Sequence, residues 1–518
     1  MKENNIPKIP ADKFRFVGDE MRLHDQKMDT KQVSYFRDAF NRFCKNKSSV
    51  TAAIIIFILV LFAIIVPLCC QNTYTLALND NDRLYYVNLT PRNKLCVALG
   101  LDFWDGCEVK EGTKEQYYHA YRAIGVETGT EVVKKATYLG QDENGRAMYD
   151  LRVDSYLMKG FVSDTLTPEE YQDIQNWQNE TGIQVLYPVV DRDQLAQSNK
   201  GNDNVWYKTD KRGAAVLDAE GNYTNIYRLK GRDNYESIRI AGDPGIEDSS
   251  SSSRYRYARQ VGTSDAPSYE CRIFLPTYFE YKYGFEASFL FGTTELGYDL
   301  LTRLAKAAQF SLLLAVGVSF INLFIGAVYG AVQGYYGGAV DMLMDRFTDI
   351  LARIPFMVVA TLFQLHLAKK VGPVWSLLFA FVLTGWIGMS STTRMQFYRF
   401  KGQEYVLAAR VLGASDWRIM FRHIFPNSLG TIVTSSVLVI PGVIFSESSL
   451  TYLGIVNLDS AAMTSVGTML ANGRQSMQSY PHIIFFPALF ISLLMICFNL
   501  FGNGLRDAFN PSLRGADD

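Results

Sequence analysis

Residues able to do chemistry are scattered through this sequence instead of forming a familiar pattern. No C-x-x-C pair and no cysteine–histidine cluster has metal-ligand spacing, and a phosphate-binding glycine loop, a nucleophile elbow, a zinc-protease helix and a kinase motif set are all absent. The histidines are isolated from one another: His24, His119, His366, His423 and His482. The sequence therefore predicts no catalytic residue, no metal site and no cofactor bound by this chain.

One cluster of residue types suits protein binding. It lies at 403–426, where the first ten residues predict a short helix that ends at Gly413, because glycine readily adopts the left-handed conformation that terminates helices. Ser415 or Asp416 can cap a second helix, and Pro426 is predicted to begin the next one. A helix, a glycine turn and a second helix form a compact shape suited to docking in a partner's groove.

This segment contains both small and basic side chains. Ala408 and Ala409 offer a closely approachable patch, and three arginines surround it: Arg410, Arg418 and Arg422. An ordinary solvated amphipathic loop has a similar pattern, so the pattern alone leaves both interpretations open.

The average composition is that of a soluble globular protein. The 518 residues have a net charge of −1, a mean hydropathy of −0.01 and 48% hydrophobic residues. These values exclude a disordered or disulfide-dense chain and give no basic excess for nucleic acid. The charges are segregated, however, with −10 on 71–300, +4 on 1–50 and +5 on 301–518. An acidic middle part thus separates two basic, apolar-rich flanks.

Six segments are predicted to span a membrane as helices. The stretch 52–70 has no charged side chain, and about 20 such residues cross the hydrocarbon core. It follows a polar segment, 1–50, that is too long for a cleaved signal peptide. Including this first helix at 51–70, the predicted spans are 51–70, 307–333, 352–368, 373–393, 427–450 and 482–505.

Basic residues of short loops remain in the cytoplasm. The segment 1–50, the loop 394–426 and the C-terminal tail are rich in lysine and arginine, so both termini are predicted to be cytoplasmic. Lys369 and Lys370 then lie outside, against the trend.

The acidic segment 71–290 is consequently predicted to be an extracytoplasmic, small mixed α/β domain. Apolar and polar residues alternate around turn residues in 136–153, which predicts a β-hairpin. Thr167 and Glu170 form a capping box at the start of a short helix. The stretch 243–267 contains five consecutive serines and is predicted to be a linker.

Cys96 and Cys107 lie eleven positions apart in this domain, where disulfides can form. The sequence leaves open whether they form a disulfide or remain two free thiols. Cys271 would be left over.

Three features of the spans have a physical interpretation. The second span has small residues every four positions at Gly326, Gly330 and Gly334. Such a ridge lets a neighbouring helix approach closely. Pro441 followed by Gly442 predicts a kink in the fifth span. Glu447, near the outer end of that span, is predicted to be a hydrogen-bonding residue at the membrane interface, with a substrate ligand as the alternative.

The segment 403–426 resembles the EAA motif of binding-protein-dependent ABC importer permeases. The positions that keep the spacing of the motif are Ala408, Ala409, Gly413 and Pro426. Leu407 stands where the motif has glutamate. In the oligopeptide/dipeptide branch the acidic residue comes earlier, as Glu404 does here.

Other stretches resemble the same branch. Before the second span, the matching positions are Gly292, Thr293, Gly297, Asp299 and Arg303. Thr294 and Tyr298 replace the aspartate and arginine that are usual there. Glu447 lies in a further matching stretch. The resemblance covers roughly 30–70 and 288–515, and it fits the C-type of the two permeases.

The resemblance implies an α-helical membrane protein with six transmembrane helices of the ABC importer permease type, whose core is 291–515. It implies a non-catalytic subunit of an ATP-driven importer of oligopeptides or dipeptides in the bacterial cell membrane. The implied partners are a second homologous permease, an extracytoplasmic peptide-binding protein and two ATPase subunits that hold ATP and Mg. The implied ATPase-coupling residues are Glu404, Ala408, Ala409, Arg410, Gly413, Ala414 and Pro426.

Two other classes remain as alternatives. A membrane-anchored receptor or sensor would act through the extracytoplasmic domain. A secondary transporter is disfavoured, because the spans contain almost no ionisable side chains besides Glu447 and His366. The substrate itself stays open among oligopeptides, dipeptides, nickel chelates and other small solutes.

Overall fold

The computed structural model describes residues 35–70, 85–143, 145–228, 235–236, 255–263, 266–459 and 463–509. Within them, both flanks of the chain form one helical bundle, and the part between them forms a mixed α/β region.

The bundle begins with α1 (Tyr35–Lys45) and α2 (Lys47–Cys70). The helices of the α/β region are α3 (Lys94–Ala98), α4 (Glu115–Thr128), α5 (Pro168–Thr181) and α6 (Leu275–Tyr283). Its strands are β1 (Cys107–Lys114), β2 (Val133–Gln141), β3 (Ala147–Asp154), β4 (Phe161–Leu166), β5 (Leu186–Tyr187), β6 (Tyr235–Glu236), β7 (Ala258–Thr263) and β8 (Ala266–Phe274). The bundle continues with α7 (Leu300–Tyr336), α8 (Gly338–Ala352), α9 (Phe356–His366), α10 (Ala368–Val371), α11 (Pro373–Gly385), α12 (Ile387–Phe400), α13 (Glu404–Val411), α14 (Asp416–Arg418), α15 (Phe425–Val437), α16 (Val439–Tyr452), α17 (Val466–Gly473) and α18 (His482–Phe509).

Among the described residues, five helical units are long and apolar enough to cross a membrane: α2, α7, α11 with α12, α14 through α16, and α18. A sixth exists if α8 and α9, which meet at an angle of 70°, count as one broken span. Pro355 precedes α9, and proline both lacks an N–H and disfavours a helical residue before it. The predicted span 352–368 is therefore the second half of a bent unit that begins at Gly338.

The central packing contact of the bundle is between α7 and α12, along the predicted ridge of small residues. Gly326, Gly330 and Gly334 lie directly against the backbone of α12, where a Cβ atom on Gly330 would be 2.2 Å from the carbonyl oxygen of Ser390. Without side chains at these three positions, the two helices approach each other backbone to backbone. The ridge is therefore the contact surface of α7 for α12.

The α/β region contains two antiparallel sheets. One has the strand order β1-β3-β2, and the other has the order β4-β8-β7-β6 with β5 also paired to β8. The hairpin predicted within 136–153 is confirmed as β2 and β3. The capping box is confirmed too, because the hydroxyl of Thr167 accepts from the Glu170 amide at 3.2 Å and the Glu170 carboxylate accepts from the Thr167 amide at 3.0 Å.

The predicted linker 243–267 is partly wrong. Its described portion forms β7 and the start of β8, because residues 258–263 pair with 266–271 as an antiparallel hairpin. The five serines lie outside the described residues.

A buried ion pair joins the two sheets. The guanidinium of Arg272 in β8 donates to both carboxylate oxygens of Glu127 in α4, at 2.6 and 2.7 Å, and also lies 3.7 Å from the ring centre of Phe161. Both side chains of the pair are buried, and α4 packs on the first sheet. Removing either partner alone would leave an uncompensated charge inside the domain.

The α/β region is fixed to the bundle where the chain enters and leaves it, at a junction formed by residues 86–92 and 289–294. The hydroxyl of Thr293 donates to the Tyr86 carbonyl at 2.6 Å and accepts from the Leu89 amide at 2.8 Å. Thr293 is fully buried. Gly292 has φ +78°, and a Cβ atom there would lie 2.3 Å from the Leu89 carbonyl oxygen. The first two motif positions before the second span therefore make this junction.

The remaining motif positions begin α7. Asp299 caps the helix by accepting from the backbone amides of Leu301 and Thr302 at 3.4 and 2.9 Å. Burial raises the pKa of the Asp299 carboxyl, and the hydrogen bonds from Thr302 oppose that rise. Gly297, with φ +75°, closes the preceding turn, and Arg303 forms an ion pair with Asp459 at 3.0 Å.

We expect Gly330→Ala to lower the free energy of unfolding of the bundle by about 1–3 kcal/mol, because the added methyl group overlaps the backbone of α12. The matched control is Gly317→Ala in the same helix, where a Cβ atom meets nothing within 4 Å. That control should be neutral or stabilising by up to about 1 kcal/mol. The measurement is the thermal unfolding midpoint of the purified protein in detergent, and equal shifts for the two variants would refute the packing argument.

We expect Thr293→Val to destabilise the junction by about 1–3 kcal/mol, because two buried backbone groups lose their partner while the side-chain shape is kept. Thr293→Ser retains the hydroxyl and should behave nearly like the native protein. Hydrogen exchange at the Leu89 amide, followed by mass spectrometry, measures the effect. If the valine variant exchanges as slowly as the native protein while the serine variant exchanges fast, the methyl group and not the hydroxyl holds the junction.

Candidate functional site

The loop 403–426 follows α12 at one end of the bundle and folds as two helical pieces around a glycine. The amide of Gly413 donates to the Arg410 carbonyl at 3.0 Å, and the amide of Ala414 donates to the Ala409 carbonyl at 3.0 Å. Together with φ +81° at Gly413, these bonds define a Schellman motif that ends α13. The predicted helix–glycine–helix arrangement is therefore present, with the first helix at Glu404–Val411.

The inner face of the loop is anchored to the bundle. Val406 and Ile419 are fully buried in a cluster with Tyr335 from the end of α7 and Phe397 from α12. Ala409 also points inward, whereas Ala408 is exposed. The two alanines of the motif thus have different surroundings: one packs against the bundle and one faces solvent.

The outer face of the loop is apolar and uncovered. Val411 and Leu412 are 88% and 87% exposed, and Trp417 is 63% exposed. Two exposed aliphatic residues beside an exposed tryptophan form a patch of the kind that marks protein interaction sites. Glu404 lies in the first turn of α13, and it is exposed, as is Pro426, while Ala414 is half-buried.

A polar contact joins the loop to α7. The hydroxyl of Tyr335 donates to the Asp416 carboxylate at 2.6 Å, and the Arg410 guanidinium donates to the Tyr335 oxygen at 3.4 Å. One tyrosine at the end of α7 therefore contacts both helical pieces of the loop. The sequence pattern gave no signal for this contact, because Tyr335 and the loop meet only in the folded bundle.

A second polar network lies beside the first and was also missed. Arg394 of α12 forms ion pairs with Asp341 at 2.7 Å and Asp345 at 2.8 Å, both on α8. The Tyr398 hydroxyl donates to Asp341 at 2.5 Å, and Lys401 donates to the Gly334 carbonyl at 3.0 Å. The recurrence of acidic residues four positions apart on α8 was the available signal, because i and i+4 share a helix face.

The predicted helix start near Pro426 is confirmed, because α15 begins at Phe425 with the proline in its first turn, but the residues before it are helical as well. The chain is helical from Asp416 onward, with a π-helical segment at Ile419–Ile424 directly before the proline. A proline ring clashes with the carbonyl four residues earlier in an α-helix, and a π-turn widens the helix at such a place. The loop therefore continues into the fifth span without a break in the chain direction.

Glu447 is fully buried inside the bundle. Its carboxylate accepts from the hydroxyls of Ser311 at 3.1 Å and Thr451 at 3.4 Å. The hydrogen bonding that the sequence predicted is present, and its partners include hydroxyl groups of α7 and α16.

Cys96 and Cys107 are both free thiols, so the disulfide alternative is wrong. The thiol of Cys107 instead has a hydrogen bond with the carboxylate of Asp105, and burial together with that neighbour raises the pKa of Cys107 to about 12. Cys96 is buried within α3. Within the described part of the chain, no three His, Cys, Asp or Glu side chains are grouped so that they could hold a metal ion.

Comparison with protein families identifies the two flanks of the chain. Residues 322–515 match the family described as the binding-protein-dependent transport system inner membrane component. Residues 34–91 match the N-terminal TM domain of oligopeptide transport permease C. The two matches leave 92–321 between them, which includes most of the α/β region.

Curated relatives agree with these families. The oligopeptide transport system permease protein OppC of Bacillus subtilis is 39% identical over 224 residues, which is 43% of this chain and 72% of that protein. The dipeptide transport system permease protein DppC of the same organism is 39% identical over 225 residues, 43% of this chain and 69% of the relative. OppC of Haemophilus influenzae is 40% identical over 230 residues, 44% of this chain and 72% of the relative.

Among solved structures, an inward-facing MetNI methionine ABC transporter chain matches with a TM-score of 0.33 and 13% identity, covering 40% of this chain and 96% of that one. This TM-score is too low to assign a fold. The family matches and the sequence relatives confirm the resemblance found in the motifs. This chain belongs to the oligopeptide/dipeptide branch of the ABC transporter permeases.

Proposed function

We propose that this chain is the membrane-spanning subunit of an ATP-driven importer of oligopeptides or dipeptides and forms half of its translocation path. It would lie in the bacterial cell membrane with both termini and the loop 403–426 in the cytoplasm, and with the α/β region outside. The names of its relatives support the substrate class. The basic residues of the loop support the orientation.

The proposed assembly contains a second homologous permease, two ATPase subunits and an extracytoplasmic peptide-binding protein. ATP and Mg would be held by the ATPase subunits. The surface of α7 supports a neighbour within the membrane, because Leu313, Phe320 and Phe324 are largely exposed along one stripe of that helix. Lipid or the second permease must cover such a stripe.

The observation that carries the proposal is the two-faced structure of the loop 403–426. Its inner face is fixed to α7 and α12 by buried side chains, whereas Val411, Leu412 and Trp417 are exposed on the outside. Three basic residues flank this patch: Arg410, Arg418 and Arg422. We call the exposed patch of Val411, Leu412 and Trp417 the knob. An apolar knob that basic residues surround fits a groove with acidic edges in an ATPase subunit.

The anchoring explains how movement of the ATPase would reach the spans. The loop continues through the π-helical segment into α15 and α16, and Tyr335 connects it to α7. A displacement of the knob therefore moves the ends of two spans together. ATP-driven closure of the ATPase pair would in this way rock the helices between outward-facing and inward-facing arrangements.

We expect Gly413→Val to reduce ATP-driven peptide uptake strongly, because a β-branched residue at φ +81° is strained by about 1–2 kcal/mol or more and opens the Schellman turn. Gly413→Asn is the matched control, since asparagine tolerates the left-handed conformation. A Cβ atom at this position meets nothing within 4 Å, so neither variant clashes within this chain. Uptake into vesicles containing the reconstituted complex is the measurement, with membrane insertion verified by protease accessibility. Uptake by the valine variant equal to that of the native complex would contradict the proposed role of the turn.

We expect Leu412→Glu to weaken copurification of the ATPase subunits roughly tenfold, because a charge replaces an apolar contact worth about 1.4 kcal/mol or more at the centre of the knob. Val126→Glu is the control: Val126 is also largely exposed, but it lies in the α/β region. Both substitutions should leave the thermal unfolding midpoint unchanged. Loss of the ATPase from the Val126 variant as well would show that the effect is unspecific.

A further inference from the structure

An exposed apolar loop, 93–104, lies between the junction and β1 and includes α3. The loop is closed at its base, where the Asn93 amide donates to the Trp104 carbonyl at 2.7 Å, and it is tied across its middle by a bond from the Leu101 amide to the Cys96 carbonyl at 3.0 Å. Half of its residues are apolar and between 37% and 74% exposed: Leu95, Val97, Leu99, Leu101, Phe103 and Trp104. A continuous exposed apolar surface of this kind marks a contact with a membrane or with another protein.

The base of this loop is fixed to the beginning of α18. Trp104 has φ +53°, which is uncommon for a bulky residue, and its ring stacks on Phe486 with 6.5 Å between ring centres and 14° between the planes. Phe486 also stacks on Phe291, at 4.0 Å between ring centres. The loop therefore has a defined height beside the last span.

That height coincides with the boundary of the bilayer. Arg506 ends the uncharged part of α18 and follows Phe486 by twenty positions. Twenty helical residues extend over about 30 Å, which is about the thickness of the hydrocarbon core. With Arg506 at the cytoplasmic boundary, Phe486 and the ring of Trp104 lie at the outer boundary, the level at which tryptophan is enriched in membrane proteins.

The neighbouring helix indicates that lipid is present at this place. Phe62 of α2 lies 6.2 Å from Phe490, one turn deeper in α18 than Phe486. Only 17% of the most apolar part of α2 is buried, against at least 39% in the other long spans, so α2 lies at the periphery of the bundle. Leucine, the most exposed residue type of the loop, is also under-represented among the residues that dominate protein interfaces.

The charges of the loop are already engaged within the protein. Asp102 and Asp105 both form ion pairs with Arg152, and Lys94 forms one with Glu286 at 3.5 Å. The surface that remains is apolar, which fits acyl chains better than a charged headgroup or a charged partner.

We propose that the loop 93–104 inserts Leu95, Leu99 and Phe103 among the acyl chains of the outer leaflet, with Trp104 at the boundary. The proposal goes beyond transport and takes from the proposed function only the orientation of the chain. Because β1 begins shortly after Trp104, the inserted loop would hold the first sheet of the α/β region against the membrane surface. The α/β region would thus be attached twice, by the junction and by lipid.

The test uses the full chain with its second permease and ATPase subunits in phosphatidylcholine nanodiscs. The photoreactive residue p-benzoylphenylalanine replaces Leu99, and after illumination the adduct is identified by mass spectrometry. We expect phospholipid to be the main adduct. The matched control carries the same residue in place of Val216, which is 43% exposed in a turn of the α/β region, and should give several times less lipid adduct.

An adduct of position 99 with the second permease instead of lipid would overturn the proposal, as would equal lipid adducts at positions 99 and 216 or no adduct at position 99. A second measurement uses the native loop: phosphatidylcholine with brominated acyl chains should quench more tryptophan emission in the native complex than in Trp104→Phe, and equal losses would contradict the placement. Peptide-stimulated ATP hydrolysis in the same nanodiscs, with binding protein added, tests the proposed function separately.

Discussion

The bundle depends on the direct backbone contact between α7 and α12. Gly326, Gly330 and Gly334 bring the two helices so close that a single methyl group at the centre would overlap a carbonyl oxygen. Within a membrane there is no hydrophobic force between helices, so such close packing is the principal source of association. This contact fixes the end of α12, and with it the point where the loop 403–426 begins. The geometry of the candidate ATPase-docking knob therefore follows from three residues that have no side chain.

The bundle contains two separate polar networks, one at Arg394 and one at Glu447. At the end where the loop lies, Arg394 reaches from α12 to two aspartates on α8 and holds the bent unit of α8 and α9 against the bundle. On the other side, Glu447 is surrounded by hydroxyl groups of serine and threonine.

Much of the bundle could be predicted from the sequence, and the exceptions have identifiable causes. Uncharged length is set by the thickness of the bilayer, so the positions of the spans and the ridge of small residues were accessible. The effect of proline was not, because it depends on whether neighbouring groups can donate a hydrogen bond to the carbonyl that proline leaves without its N–H partner. Pro355 lies at a 70° bend between two helices, whereas a π-helical turn precedes Pro426 in a continuous span. The inward position of Ala409 and the outward position of Ala408 could not be told from the sequence, because they depend on which face of the loop packs on α7 and α12. In the α/β region, local signals such as the capping box at Thr167 were sufficient, but the strand β7 within a serine-rich stretch depends on pairing with β8.

The junction at Thr293 has a consequence for the whole molecule through α7. This helix has 37 residues and is therefore about 55 Å long, with the junction at its beginning and the contact of Tyr335 with the loop at its end. A rod that is held at both ends transmits free energy in either direction, and thermodynamic linkage requires the two effects to be equal. If a ligand of the α/β region and a partner of the loop 403–426 both favour the same position of α7, each would raise the affinity for the other by the same factor. In the proposed assembly, a ligand of the α/β region would in this way regulate the affinity for the ATPase through α7.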